Sequence, residues 1–275
     1  MQISPATAVC GILLHPASHT RSPAMHNAAY DALGLDAVFV AFDVPPARLA
    51  EAVAGARALG VRQLAVSIPH KEAVLAHADE VDETARRIGA ANTLTLADGR
   101  WLASNTDWIG LARALERETA LSGRRAVVLG AGGTARAAAF ALGARGAHVS
   151  VLNRTVERAE ALARDLGATA AGTLAALARL DYDVLVNTTS VGLSRDESPA
   201  AAAALRPGAV VLDVVYDPPE TRLLRDARER GLRCIGGKWM LVEQAVEQIR
   251  LWSGKTPPSD VLARAFDEAR RTMAT

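Results

Sequence analysis

The chain has 275 residues, half of them hydrophobic by type and 22% charged, which is ample material for a packed core of one large or two modest domains. Lys and Arg number 31 against 30 Asp and Glu, so the net charge of +1 offers no broad basic field for nucleic acid and no acidic tail. Two cysteines, Cys10 and Cys234, cannot build a disulfide framework and suit a reducing, cytoplasmic compartment. The first 20 residues lack a basic leader and are interrupted by Pro5 and Pro16, and no apolar run approaches the roughly 18 residues of a spanning helix, so neither secretion nor a membrane anchor is expected.

Strand and helix patterns alternate along the chain, the mark of an α/β protein with parallel sheet. A helix is expected to open at Ser22-Pro23, with Ser22 as N-cap, and to end near Gly34. A strand over 37–44, a helix over 46–59 and a strand over 63–68 stopped by Pro69 follow. Residues 92–96 and 100–104 flank Ala97-Asp98-Gly99 as a hairpin. A second regular block opens with a strand at 126–129, a helix over 133–143, a strand over 147–152 and a helix over 156–166. Strands at 184–186 and 210–214, a helix over 220–230 and closing helices over 240–252 and 259–273 complete the alternation. Boundaries are expected near Asp107 and Trp239. The closing helices would then join the first block, giving one domain of residues 1–107 with 240–275 and another of 108–239.

Val127-Val128-Leu129-Gly130-Ala131-Gly132-Gly133-Thr134-Ala135 runs from a strand through glycines into a helix, the G-x-G-x-x-A form of a dinucleotide fingerprint. Gly130 permits the tight turn, Gly132 lets backbone approach a pyrophosphate, and Ala135 lets helix pack on strand. The pyrophosphate itself would rest on the N–H groups of the helix N-terminus. In an NAD site the next strand ends on a carboxylate that holds the ribose 2′-hydroxyl. Here it ends Leu152-Asn153-Arg154-Thr155, with Arg158 one helical turn on, so two guanidinium groups stand ready for a 2′-phosphate and NADP is the expected cofactor. The alternative is that Arg154 and Arg158 are an ordinary solvated helix edge.

The first block carries polar residues that a purely structural domain does not require. His19-Thr20-Arg21-Ser22-Pro23, Ser67-Ile68-Pro69-His70-Lys71, Ala91-Asn92-Thr93 and Asn105-Thr106-Asp107 all adjoin strand or helix ends, where ligands of open α/β sheets collect. Hydroxyls, an amide, a lysine and an aspartate together suit a small polyhydroxylated substrate. His15, His19, His26 and His70 do not form a metal-ligand spacing, and no metal is assigned.

Those four segments, together with Gly130–Ala135, Asn153-Arg154-Thr155, Asn187–Gly192, Tyr216 and Met240-Leu241-Val242-Glu243-Gln244-Ala245, resemble the shikimate dehydrogenase family along essentially the whole chain. The resemblance implies a discontinuous α/β substrate domain and a Rossmann-type, doubly wound NADP-binding domain, with the active site in the cleft. It implies reversible NADPH-dependent reduction of 3-dehydroshikimate to shikimate, on the route to chorismate and the aromatic amino acids. Lys71 and Asp107 would be the catalytic pair, Lys71 serving either as proton donor or as electrostatic stabiliser. Thr20, Ser22, Ser67, Asn92, Tyr216 and Gln244 would bind substrate. Gly130, Ala131, Gly132, Gly133, Thr134, Ala135, Asn153, Arg154, Thr155, Arg158, Thr188 and Met240 would hold the cofactor.

The implied partner is the small-molecule substrate alone, with no nucleic acid or membrane, and the implied state is a monomer or homodimer. Three residues depart from the family pattern: Thr20 stands where Ser is usual, Leu14 where glycine is, and Ala65 where Asn precedes Val-Thr. A paralogue acting on quinate or aminoshikimate is therefore the alternative substrate reading. A non-catalytic NADP-binding sensor is the alternative class, and the presence of both Lys71 and Asp107 weighs against it.

Overall fold

The computed structural model describes residues 3–18 and 20–273; His19 of the first motif lies outside the described residues. The chain divides into two compact units, Met1–Thr106 with Val242–Thr275, and Asp107–Leu241.

The first unit opens with strand β1 (Ala8–Leu14), helix α1 (Ser22–Leu33) and strand β2 (Ala37–Asp43). Residues Pro46–Arg48 form a 3-10 turn leading into α2 (Leu49–Ala58), followed by β3 (Gln63–Val66), a second 3-10 turn, β4 (Glu80–Val81) and α3 (Glu83–Ile88). Strands β5 (Thr93–Ala97) and β6 (Arg100–Ser104) form the expected hairpin, with Asp98 and Gly99 both at positive φ as a tight two-residue turn requires. The sheet order is β2-β1-β3-β5-β6-β4. It is mixed rather than parallel: β5 runs antiparallel to both β3 and β6, because a two-residue turn can only join antiparallel neighbours.

Strand β1 is not expected from the sequence: its residues Cys10 to Leu14 are all buried between β2 and β3, so the run lacks alternation. Gly11 in that strand lies beneath the Phe42 ring, which a Cβ would strike. Helix α1 begins at Ser22 itself and is preceded by Arg21 at the N-cap position, so Ser22 is the first helical residue rather than the cap. Gly34 ends the helix in the left-handed conformation, as expected. The core gathers Leu13, Leu64, Val66, Leu94 and Val53 around Trp101, whose indole N–H donates to the Val53 carbonyl at 3.2 Å.

The second unit opens with α4 (Asp107–Glu116), β7 (Arg125–Leu129), α5 (Gly133–Ala144), β8 (His148–Leu152) and α6 (Val156–Leu166). Then come β9 (Ala170–Gly172), β10 (Val184–Asn187), β11 (Val210–Asp213), α7 (Arg222–Glu229) and β12 (Arg233–Gly236). Its sheet is wholly parallel in the order β12-β11-β10-β7-β8-β9, the doubly wound arrangement of a dinucleotide-binding domain. Ala126 and Val128 face one core and Val127 and Leu129 the other, which is why these strands read as unbroken apolar runs.

Helix α8 (Lys238–Ser253) crosses the chain boundary between the units, and α9 (Ser259–Met273) packs on α1. Among the described residues no helix is long and apolar enough to cross a membrane.

Candidate functional site

Sheet register places the first unit's polar residues. Ala65 on β3 pairs with Thr93 on β5, and Thr93 with Ser104 on β6. The carboxyl ends of β3 and β6 and the start of β5 therefore share one sheet edge, and β1, parallel to β3, ends there too. Ser67 and Lys71 follow β3, Asn92 precedes β5, Thr106 follows β6, Thr20 lies between β1 and α1, and Ser22 opens α1. Ligands of open α/β sheets collect at such an edge.

The segment holding Lys71 is fixed by its backbone. The Ser67 N–H donates to Leu13 O at 2.9 Å, the His70 N–H to Ser67 O at 2.9 Å, and the Ala91 N–H to Lys71 O at 2.8 Å. His70 is buried and its Nε2 lies 2.8 Å from the Val44 carbonyl, which accepts only, so Nε2 carries the proton. Burial pulls the His70 pKa down, with Val44 opposing. The His70 ring thus ties the segment to the end of β2, and the adjoining Lys71 is half-buried. The Thr20 hydroxyl accepts the Ser22 N–H at 3.3 Å, while the Ser22 and Ser67 hydroxyls have no hydrogen-bond partner among the described residues.

Asn92, 2% exposed, is the hub of this edge. Its Nδ2 donates to Thr106 Oγ1 at 2.9 Å and Gln244 Oε1 at 3.1 Å, and its Oδ1 accepts from the Thr106 N–H at 2.7 Å and the Thr93 hydroxyl at 2.9 Å. Thr106 Oγ1 also donates to the Gln244 carbonyl at 3.0 Å. Asn92 and Gln244 are brought together directly, and Thr106, which carries no separate role in the sequence reading, bridges them. Asp107, 4% exposed, is the first residue of α4 rather than a cap outside it, where a carboxylate is favoured by the helix dipole.

In the second unit Gly130 adopts φ +116°, and a Cβ there would lie 2.5 Å from Thr188 Oγ1. The Thr188 hydroxyl is itself engaged, donating to Leu129 O at 2.7 Å, so it packs and fixes the glycine turn. Gly132 is the N-cap of α5 in extended conformation, and a Cβ built on it meets no atom within 4 Å. That open approach to the helix N-terminus fits a pyrophosphate. Asn153 Nδ2 donates to Thr155 O at 2.9 Å and shapes the end of β8, while Arg154, Thr155 and Arg158 are exposed. Neither Arg154 nor Arg158 has an ion-pair partner among the described residues, so both guanidinium groups fit a 2′-phosphate. Met240 is 6% exposed within the core that also holds Ile235 and Leu111, a packing position. Tyr216 is half-buried just after β11.

A buried group absent from the sequence reading stands at the end of β11. Asp213 accepts from Asn187 Nδ2 at 2.9 Å, the Val215 N–H at 3.0 Å and the Thr221 hydroxyl at 2.7 Å. Burial pushes its pKa up to about 6 against the pull of those donors. The only signal in the sequence is a carboxylate closing an apolar run.

Residues 12–94 match the family described as "Shikimate dehydrogenase substrate binding domain", residues 112–211 "Shikimate / quinate 5-dehydrogenase", and residues 237–265 "Shikimate 5'-dehydrogenase C-terminal domain". A relative from Thermococcus kodakarensis named shikimate dehydrogenase (NADP+) is 46% identical over 94% of this chain and 96% of its own length. The chain belongs to the shikimate dehydrogenase family. Among solved structures, the family member from Thermus thermophilus, in complex with NADP(H) and shikimate, superposes with a TM-score of 0.89 at 39% identity, covering 95% of this chain and 99% of its own. A 5-ketofructose reductase from Gluconobacter superposes with a TM-score of 0.84 at 35% identity, covering 97% of this chain and all of the other, so the fold is shared by proteins of more than one named activity.

Proposed function

We propose that the chain is a shikimate dehydrogenase, reducing 3-dehydroshikimate to shikimate with NADPH and reversing the reaction with NADP+, on the route to chorismate and the aromatic amino acids. The observation that carries this reading is the 46% identity over nearly the whole chain to a relative of that name. NADPH, when bound, supplies the hydride. Arg154 and Arg158 hold its 2′-phosphate and the N-terminus of α5 its pyrophosphate. The Ser22 and Thr20 hydroxyls take the substrate carboxylate, and Ser67, Asn92, Asp107 and Gln244 bind carboxylate and ring hydroxyls. Lys71 gives a proton to the ketone oxygen as hydride adds, or holds the charge that develops there, and Asp107 orients the neighbouring hydroxyl. Tyr216 is a further substrate ligand. A reducing cofactor and two free cysteines fit a cytoplasmic enzyme working as a monomer or homodimer.

Substrate choice turns on Thr20 and Ala65. Shikimate is flat beside its carboxylate, whereas quinate carries a tetrahedral carbon with a further hydroxyl, and the Thr20 methyl crowds that end. Ala65 enlarges the pocket instead, and one such group is worth only about 1–3 kcal/mol, so neither enforces strict selection. A spectrophotometric panel of shikimate, quinate and aminoshikimate, each with NADP+ and NAD+, tests the reading. Shikimate is expected to exceed quinate by about tenfold or more in kcat/KM. Quinate oxidised as efficiently as shikimate would overturn the substrate assignment.

A further inference from the structure

We propose that Gln248 is a positioning residue that fixes the orientation of Asn92 for substrate binding; the proposal rests on the reading of Asn92 as a substrate ligand. Gln244 and Gln248 stand one turn apart on α8 and both reach Asn92. Gln244 meets its side chain, while Gln248 Nε2 donates to the Asn92 carbonyl at 2.9 Å and to Thr93 Oγ1 at 3.0 Å. Because an amide N–H arrives at the Thr93 oxygen, the Thr93 proton points away, to Asn92 Oδ1 at 2.9 Å. The relay therefore runs in one direction, from Gln248 to Thr93 to Asn92.

An asparagine amide has two nearly equivalent orientations about its last torsion, and its neighbours decide between them. Here the Thr93 hydroxyl and the Thr106 N–H both point at Oδ1, so Nδ2 must face Thr106 Oγ1 and Gln244 Oε1. Gln248 is anchored in turn: its backbone carbonyl accepts from Gln63 Nε2 at 2.8 Å, and Gln63 also donates to Thr95 Oγ1 at 3.1 Å, tying α8 to β3 and β5.

The residue type argues for a positioning role. Gln248 is buried; among the described residues its Oε1 makes no close hydrogen bond, the buried His26 ring being only a weak polar neighbour, and Gln63 Oε1 is likewise unmatched. An unmatched buried acceptor is costly, and Leu or Met would fill the same space without it. What glutamine adds at this position is the pair of N–H groups aimed at Asn92 and Thr93.

The test compares Gln248→Met, Thr93→Val and the double variant with the unmodified enzyme, measuring KM for shikimate and for NADP+, kcat and the thermal midpoint. Each single variant is expected to raise shikimate KM about tenfold with NADP+ KM within about twofold, the pattern of lost ground-state binding. The double variant should be no worse than the weaker single by more than about twofold, since both changes cut one relay. If Gln248→Met does not fold, Thr93→Val carries the test alone. Shikimate KM within twofold of the original in the folded variants, parallel rises in both KM values, or additive effects overturn the proposal. An unmodified protein that does not turn over shikimate overturns the parent reading and this one with it, whereas an active parent with unmoved variants overturns only the positioning role.

Discussion

A ketone that accepts a hydride must also gain a proton, and in the proposed reaction Lys71, in the segment that follows β3, is the residue assigned to supply it or to hold the developing charge. Lys71→Met is expected to lower kcat about a hundredfold or more, with dissociation constants for shikimate and NADP+ changing much less. A rise in KM with kcat nearly intact would make Lys71 a binding residue instead. In the second unit, Arg154 is exposed and has no ion-pair partner among the described residues, so Arg154→Ala should leave folding untouched. It should remove most of an NADP+ over NAD+ preference of about tenfold or more in kcat/KM, while activity with NAD+ barely changes. Equal use of both cofactors by the unmodified protein would refute the role. Motif residues such as these are legible because their chemistry travels with short local patterns. Gln63, Thr93 and Gln248 are not: the Gln63–Gln248 bond spans 185 positions, and nothing local to either residue announces the other. Thr106 sat inside a recognised motif, yet only the folded hairpin reveals that it bridges Asn92 to Gln244.

Elements with strong periodicity and clear ends are read well from sequence, and α6 (Val156–Leu166) and α9 (Ser259–Met273) match their expected spans. Short or fully buried elements escape: β4, β9 and β12 have two to four residues each, and β1 has no alternating face to display. The expected helix over 46–59 begins instead as a 3-10 turn before α2, a common way for a helix to open. The turn from β7 to α5 is where sequence and geometry agree most closely, and its two glycines separate stability from binding. Gly130→Ala combines a forbidden φ of +116° with a Cβ against Thr188 Oγ1, so it should destabilise the protein by at least about 2 kcal/mol in urea unfolding. Gly132→Ala has an ordinary backbone and open space, and should change stability by less than about 0.5 kcal/mol. Its methyl would stand where the pyrophosphate approaches, so NADP+ affinity measured by titration should fall clearly. The opposite pattern, with Gly132→Ala unfolded and Gly130→Ala merely weak in binding, would show that the turn serves packing alone.

Across the whole molecule, two buried titratable groups set opposing responses to acid, one in each unit. In the first, His26 is wholly buried, stacked on Phe39 at 3.9 Å and edge-on to Tyr30, and among the described residues neither ring nitrogen makes a close hydrogen bond, the Gln248 amide being a weak polar neighbour. Burial holds its pKa down at about 3, a shift that the nearby Gln248 amide opposes only in part. The unfolded chain binds this proton near pH 6.5 and the folded chain does not, so stability is present above 6.5 and is lost as pH falls toward 3. In the second unit Asp213 behaves in the reverse sense. Folded, it keeps its proton up to about pH 6, while unfolded it releases it near 3.8, so its contribution falls as pH rises between those values. Each group contributes a slope of about 1.4 kcal/mol per pH unit, of opposite sign, and in the shared window from about pH 4 to 6 the two largely cancel. Differences between variant and parent remove the other carboxylates from the comparison. His26→Leu should therefore change the slope of unfolding free energy against pH by about −1.4 kcal/mol per unit in that window, and Asp213→Asn by about +1.4. Urea unfolding at pH 4, 5, 6 and 7 reads both. Curves for both variants that run parallel to the parent would show that neither group resists ionisation in the folded protein.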